Sequence, residues 1–258
     1  MMKKLTMLCL VMVFSTAICV HSGNAGEKVT LANGDWAPYF GENLKHNGVV
    51  SRIVKEAFAL EGVDVDYAFR PWKRGFEEAK QGKLDGAVGW VKNDDRLKDF
   101  FFSAPIAKNT NVFFVKKGTD FSWNSVSDLG KYKIGGIVGF FYGKEFEDAE
   151  KSGAIMIDRV PDDETNFKKL IAGRMDLIIA DLEVGYDLIN TKMGEAAGQL
   201  THNAKAITEE DLFLLMNRQN TSNEQLIETF NKGLENLQTS GKSDQYYEES
   251  RRGEYRVK

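Results

Sequence analysis

Arg96 and Asp181 are the two charged side chains that their sequence surroundings single out. Arg96 falls in "GWVKNDDRLKDF" (89–100), just after the apolar run "LDGAVGWV", in the first turn of a helix that Asn93 or Asp94 can cap. A helix start presents free backbone N–H groups, and a guanidinium adds a planar fork of five donors, so together they suit a carboxylate. A bidentate, partly buried contact of this kind is worth about 1.5–3 kcal/mol. The same residues also fit a solvated helix end in which Arg96 pairs with Asp94, Asp95 or Asp99. Asp181 follows the strand-like "LIIA" and opens the next helix. A carboxylate there accepts either from a ligand ammonium or from the helix's own first amides.

Aromatic side chains stand at similar places. In "LANGDWAPYF" (31–40), Asn33, Asp35 and Trp36 lie just past a strand, where Trp36 faces a ligand or caps the sheet. Gly89 and Trp90 end the strand that leads to Arg96. In "GGIVGFFYGKEF" (135–146), Gly139 makes a strand-to-helix turn that offers Phe140, Phe141 and Tyr142. No G-x-G-x-x-G or G-K-[ST] follows, so this turn is no nucleotide site. "RPWKRG" (70–75) sits at another strand end. There Trp72 is expected to pack beneath the turn and Lys73 to be solvated.

Positioning these residues falls to alternating elements. "KVTLANG" reads as a strand, "VVSRIVKEAFALEG" as a helix with Val50, Ile53, Val54, Ala57 and Phe58 inward, "VDVDYAF" as a period-two strand, "KRGFEEAKQG" as a helix and "LDGAVGWV" as a strand. This β-α-β-α-β order predicts a parallel sheet flanked by helices. A second set follows: "KYKIGGIVG", "YGKEFEDAEKSG", "AIMIDRV", "DDETNFKKLIAG" and "RMDLIIAD". Extended apolar runs, "FFSAPIAKNTNVFFVKKG" and "EEDLFLLMNR", separate the sets. The last predicted element is the helix "NEQLIETFNKGLENLQTSG", with Leu226, Ile227, Phe230, Leu234 and Leu237 inward. The pattern predicts an α/β protein of two lobes joined by two strands, crossing near 108–116 and returning near 206–214. A ligand cleft lies between the lobes, because open α/β sheets bind ligands beyond the carboxyl ends of their strands.

The amino terminus, "MMKKLTMLCLVMVFSTAICVHSGNAGEK", has the layout of a cleaved signal peptide over 1–25, with small Gly23 and Ala25 before the cut. An Ile before Cys19 disfavours lipoprotein processing. Both cysteines, Cys9 and Cys19, belong to this leader, so no disulfide is expected in the exported chain. The formal net charge of −4 becomes more negative once Lys3 and Lys4 are removed, which gives nucleic-acid or anionic-membrane binding no support. Beyond the leader the histidines are only His46 and His202, and no zinc, G-x-S-x-G or EF-hand pattern occurs. Neither metal, cofactor nor catalytic group is expected.

With these stretches in order, the chain resembles the periplasmic solute-binding proteins of ABC importers, polar amino-acid-binding family. The resemblance runs through "DWAPYF", Gly82-x-x-Asp85, the Arg96–Pro105 run, "DL" at 128–129, "IGGIVGFFYG", "KKLIAGRMD" and "FNKGLENLQTSG". It implies the type II periplasmic-binding-protein-like fold, with lobe 1 over 26–110 and 209–258 and lobe 2 over 111–208. It implies a periplasmic monomer that closes on a small amino-acid-like or carboxylate ligand and docks on an inner-membrane ABC permease. Arg96 takes the position that grips an α-carboxylate, Asp181 the one that holds an α-ammonium, and Trp36 that of a covering aromatic. The Gly139–Phe140 turn matches a backbone contact from lobe 2. Val91 stands where a hydroxyl residue is usual, and Arg74 stands where an aromatic wall is usual, which makes Arg74 the expected determinant of specificity. An enzyme on the same fold, such as a dehydratase of a cyclic carboxylic acid, and a free sensor for a membrane kinase remain as alternatives.

Overall fold

The computed structural model describes residues 27–256; the expected leader and both cysteines lie outside the described residues. Strands β1 (Glu27–Asn33), β2 (Val63–Phe69) and β3 (Gly86–Trp90) alternate with helices α1 (Val49–Leu60) and α2 (Trp72–Lys80). The short helix α3 (Asp94–Asp99) leads into the 17-residue strand β4 (Phe100–Lys116). The second alternating set is β5 (Ile134–Ile137), α4 (Lys144–Ser152), β6 (Ile157–Val160), α5 (Asp163–Ile171), β7 (Leu177–Asp181) and α6 (Leu182–Lys192). Strands β8 (Leu200–His202) and β9 (Thr208–Asn217) then return to helices α7 (Ser222–Thr239) and α8 (Lys242–Arg251).

All strands join one sheet in the order β2-β1-β3-β9-β4-β7-β5-β6, with β8 also on β4. Each flank is parallel, β2-β1-β3 on one side and β7-β5-β6 on the other. Between them β9 and β4 run antiparallel to their flanks and to each other, from Phe100↔Asn217 to Asn111↔Thr208. β4 thus starts beside one parallel set and ends beside the other, and β9 makes the return. Pro105 sits where the β4–β9 register shifts, as expected of a residue that cannot donate to a ladder.

The cores follow the same division. The first gathers β1, α1, β9 and α7, with Phe58 and Phe230 in contact at 4.8 Å between ring centroids. All five predicted inward residues of α7 are buried, each contributing on the order of 1.5–3 kcal/mol. Gly233 lets α7 approach α1 closely, since a Cβ there would stand 2.0 Å from the Ala57 carbonyl oxygen. Two further cores are built wholly from residues between Val112 and Ile207.

Helix α8 is the one long element beyond the sequence prediction. Gly241, at φ +75°, turns the chain after α7, and α8 packs on both α1 and α6. Its only strong apolar anchors are Tyr246 and the half-buried Tyr247, too few for a periodic signal. Among the described residues no helix is long and apolar enough to cross a membrane.

Candidate functional site

A cleft of about 520 Å³ opens where the two parallel sets face each other across β4 and β9. Trp36, Gly89, Trp90 and Arg96 line it from the first set, and Phe140, Tyr142 and Asp181 from the second. These seven residues, all singled out in the sequence, therefore come together from segments up to 145 residues apart in the chain.

Arg96 is held without being neutralised. Asn93 caps α3 by accepting from the Arg96 amide at 2.9 Å, and an Arg96 Nη1 donates to the Val91 carbonyl. Its guanidinium carbon lies 4.8 Å from the centre of the Trp90 ring and 5.7 Å from that of Phe76. Two of the three acids that offered an alternative are engaged elsewhere: Asp95 with Lys98 at 2.7 Å and Asp99 with Lys80 at 2.8 Å. Among the described residues Arg96 has no ion-pair partner. Burial lowers its pKa, but an arginine remains cationic at any physiological pH.

Gly89 makes this wall possible. Its φ of +78° lies in the left-handed region, and a Cβ would sit 2.7 Å from the Phe40 ring. Trp36 closes the same side, 5.0 Å from Tyr39 between ring centroids.

Asp181 lies in the cleft wall as expected, yet its oxygens are occupied by the protein. The Tyr39 hydroxyl donates to both at 3.0 Å, and Asn109 Nδ2 and the Thr110 amide to one, at 3.1 and 3.0 Å. The other accepts the Glu183 and Val184 amides at 3.0 Å each, so Asp181 is also the cap of α6. A carboxylate has about four lone-pair sites, and these five donors, the Tyr39 hydroxyl sharing its one proton between the two oxygens, leave none free. Burial pushes its pKa up to about 6 in spite of these donors.

The crossing strands supply residues the sequence reading did not single out. Asn109 and Asn111 of β4, and Thr208 and Glu210 of β9, point into the cleft, whereas Lys108, Thr110 and Asp211 line a second cavity of about 730 Å³ on the opposite face. That is the period-two alternation of a strand. Its signal was present in "KNTN", a polar interruption of an otherwise apolar run. Asn111 donates to Thr208 Oγ1 at 3.0 Å, and its register partner in β7 is Asp181.

On the second lobe the Gly139 turn has φ +79°, and Phe140 and Phe141 are 56% and 65% exposed at the rim. Tyr142 turns inward instead. It is buried, its hydroxyl accepts the Ile137 amide at 2.8 Å, and burial pushes its pKa up to about 12. Arg159 donates to the Ile137 and Phe140 carbonyls at 2.8 and 3.0 Å, which fixes the turn. Asp163, in the first turn of α5, also faces the cleft. Burial, and then the neighbouring Asp162, push its carboxyl up to about 6.

Two expected site residues lie elsewhere. Arg74 is on the outer side of α2, 66% exposed and paired with Glu78 at 2.7 Å, because α2 begins at Trp72 and its turn carries position 74 away from the cleft. Trp72 fills the space beneath, edge-on to Phe40 and Trp90 at 5.7 and 5.8 Å. Asn33 is buried within the turn, donating to Ser51 Oγ and accepting the Gly34 amide, both at 2.9 Å.

Comparison with known proteins gives consistent matches. The model of the bacterial extracellular solute-binding proteins, family 3, matches residues 29–250. The L-cystine-binding protein TcyJ of Escherichia coli K12 is 24% identical over 213 residues, covering 81% of this chain and 76% of the relative. Among solved structures, substrate-binding domain 2 of Lactococcus lactis GlnP in an open conformation is 21% identical, with a TM-score of 0.71, over 88% of this chain and 96% of that one. The unliganded open L-cystine solute receptor of Neisseria gonorrhoeae is 18% identical, with a TM-score of 0.71, over 91% and 97%.

Proposed function

The chain belongs to the bacterial extracellular solute-binding proteins, family 3, and on that premise we propose that it is the periplasmic receptor of an ABC importer for an amino-acid-like solute, with Arg96 as the group that grips the ligand's carboxylate. The family is one of binding proteins with two α/β lobes, not of enzymes. The observation that carries the assignment is the Arg96 guanidinium: it lines the cleft, stacks near Trp90 and has no ion-pair partner among the described residues. A buried or half-buried arginine without a counter-ion gains most from a bidentate carboxylate.

Trp36 covers the ligand from lobe 1, and the Phe140 turn approaches it from lobe 2. Lobe 1 comprises 26–110 and 209–258, and lobe 2 comprises 111–208; the division of the buried cores supports these bounds. Each lobe carries half of the contacts, so ligand favours the closed arrangement through contacts that the open one lacks. A permease then reads the closed form, and the receptor works as a monomer released by cleavage after Ala25. Amino-acid binding by the relatives, both cystine receptors in name, supports the ligand class.

The test is native mass spectrometry of gently purified protein, followed by thermal shift of ligand-stripped protein with amino acids and small organic acids. A retained small molecule and a shift with a carboxylate-bearing compound are expected. No shift with any compound of either kind would sink the assignment.

A further inference from the structure

We propose that Arg251 and Arg256 form a latch behind the hinge: they hold Glu183 and Asp187 of the opposite lobe while the cleft is open, and closure must part them. This rests on the lobe division and the closure proposed above, and not on the identity of the ligand.

Glu183, Asp187 and Asn190 stand about one helical turn apart on α6, which belongs to lobe 2. All three turn to α8 and the residues just after it, which belong to lobe 1. Arg251 Nε donates to both Glu183 oxygens at 3.1 Å, and its Nη2 to one of them at 2.5 Å. Arg256 Nε donates to Asp187 Oδ1 at 3.0 Å, and its Nη2 to Oδ2. Asn190 Nδ2 donates to the Arg251 carbonyl. Both carboxylates are buried, and among the described residues neither has a donor or a cation from its own lobe. Lobe 2 thus carries two buried acids whose charge only lobe 1 answers. A buried acid that loses its partner is left in an unfavourable state.

Their place in the fold makes these pairs sensitive to closure. Glu183 and Arg251 line the cavity of about 730 Å³ behind β4 and β9, whereas Val184, the next residue of α6, lines the cleft in front. Two bodies joined by crossing strands part on one face as they approach on the other. The structure holds the cleft open. The side-chain contacts of Arg96 are to Val91, Trp90 and Phe76, all of lobe 1, while Phe140 and Phe141 of lobe 2 remain exposed. The latch is therefore formed in the open arrangement. Parting it leaves Glu183 and Asp187 without counter-ions, which keeps the closed form rare until ligand supplies contacts of its own.

The experiment is single-molecule energy transfer between dyes on Lys73→Cys in lobe 1 and Lys144→Cys in lobe 2, both exposed positions. The native cysteines, Cys9 and Cys19, precede Gly26. Three variants are compared with the labelled wild type: Glu183→Gln with Asp187→Asn, Arg256→Gln, and Glu249→Gln. The last weakens the Arg52–Glu249 pair at 2.6 Å, which joins α1 to α8 inside lobe 1. Without ligand, the Glu183→Gln, Asp187→Asn double variant is expected to raise the ratio of short-distance to long-distance molecules about fivefold or more. Its side chains keep their size, and the arginines it releases are 36% and 40% exposed, so water receives them. Arg256→Gln is expected to move the ratio the same way by less, and Glu249→Gln to leave it as in wild type. No rise in either latch variant, or an equal rise in Glu249→Gln, would overturn the latch alone. Dyes on wild type that never approach each other with L-amino acids, L-cystine or small organic acids would overturn the closure beneath it.

Discussion

The Tyr39 hydroxyl donates to both carboxylate oxygens of Asp181 at 3.0 Å, across 142 residues of chain. Tyr39 is fully buried in the turn after β1, and Asp181 caps α6 while accepting from the crossing strand β4. One carboxylate thus ties together a turn of the first lobe, the hinge and a helix of the second. Burial, and then the charge of Asp181, keep the Tyr39 phenol well above its ordinary pKa, so it stays a donor at any working pH.

Tyr39→Phe should lower the unfolding free energy at pH 7 by about 1–3 kcal/mol, the usual cost of removing a donor from a buried charged acceptor. The Asp181 carboxyl, held near 6 against an ordinary 3.8, rises further in the variant. A carboxyl raised in the folded state favours folding below its unfolded pKa, and that contribution disappears as pH climbs through the folded value. The gap between variant and wild type in urea melts should therefore be wider at pH 7.5 than at pH 5. An equal gap would remove the charged acceptor from this account.

Asp163→Asn should stabilise the ligand-free protein at neutral pH. With its carboxyl near 6 and an unfolded value near 3.8, folded Asp163 holds its proton across that window while the unfolded chain releases it. Stability accordingly falls from pH 4 to 6 and levels off above, and the substitution removes a loss of ~1–3 kcal/mol. Thermal melts should show a higher midpoint for the variant at pH 7.5 and none of that gain at pH 3.5. A variant less stable than wild type at neutral pH would contradict a strained, unpaired carboxylate.

Arg96→Ala and Arg96→Lys should both weaken carboxylate ligands by about tenfold or more, since lysine keeps the charge but loses the planar fork. Folding should change little, because the side chain's own hydrogen bond is only to the Val91 carbonyl. Calorimetry and circular dichroism check the two halves separately.

Arg74→Ala should leave affinity and ligand preference as in wild type. The side chain is exposed and paired with Glu78 one helical turn on, a surface contact worth ~0–1 kcal/mol. A changed ligand preference would return Arg74 to the site.

Arg251→Leu should destabilise the protein by about 2–4 kcal/mol in urea melts, because it strands a charge that is otherwise paired. Arg251 of α8 reaches Glu183 of α6 at 2.5 Å, and the Glu183 side chain is only 7% exposed. Arg256 makes the matching contact to Asp187 one turn further along α6. The Arg251–Glu183 pair lines the second cavity, on the face opposite the cleft. A melt unchanged from wild type would show that water already satisfies Glu183.

Much of the fold was legible because its signals are local. The alternation of Val63, Val65 and Tyr67 marks β2, and the five-residue stripe of α7 marks its buried face. Position at a strand's carboxyl end likewise brought Trp36, Trp90, Arg96, Phe140 and Asp181 into view. Helix α8 was missed because it carries almost no apolar stripe, and its position depends on ion pairs to α6 that have no sequence period. Asn109 and Asn111 were passed over because they interrupt a strand that otherwise reads as core.

The sequence by itself determined the element order, the two-lobed α/β class and a cationic residue suited to a carboxylate, since period and strand-end position are properties of neighbouring residues. Only tertiary structure decided which charges are free. Among the described residues Arg96 has no ion-pair partner while Asp99 and Asp95 pair with Lys80 and Lys98, and Asp181 is saturated by donors that include Tyr39 and Asn109, both far from it in the chain. Arg74 is turned outward by one helical step. Whether a charge is available to a ligand depends on every donor and acceptor within about 3 Å, and most of those are distant in sequence.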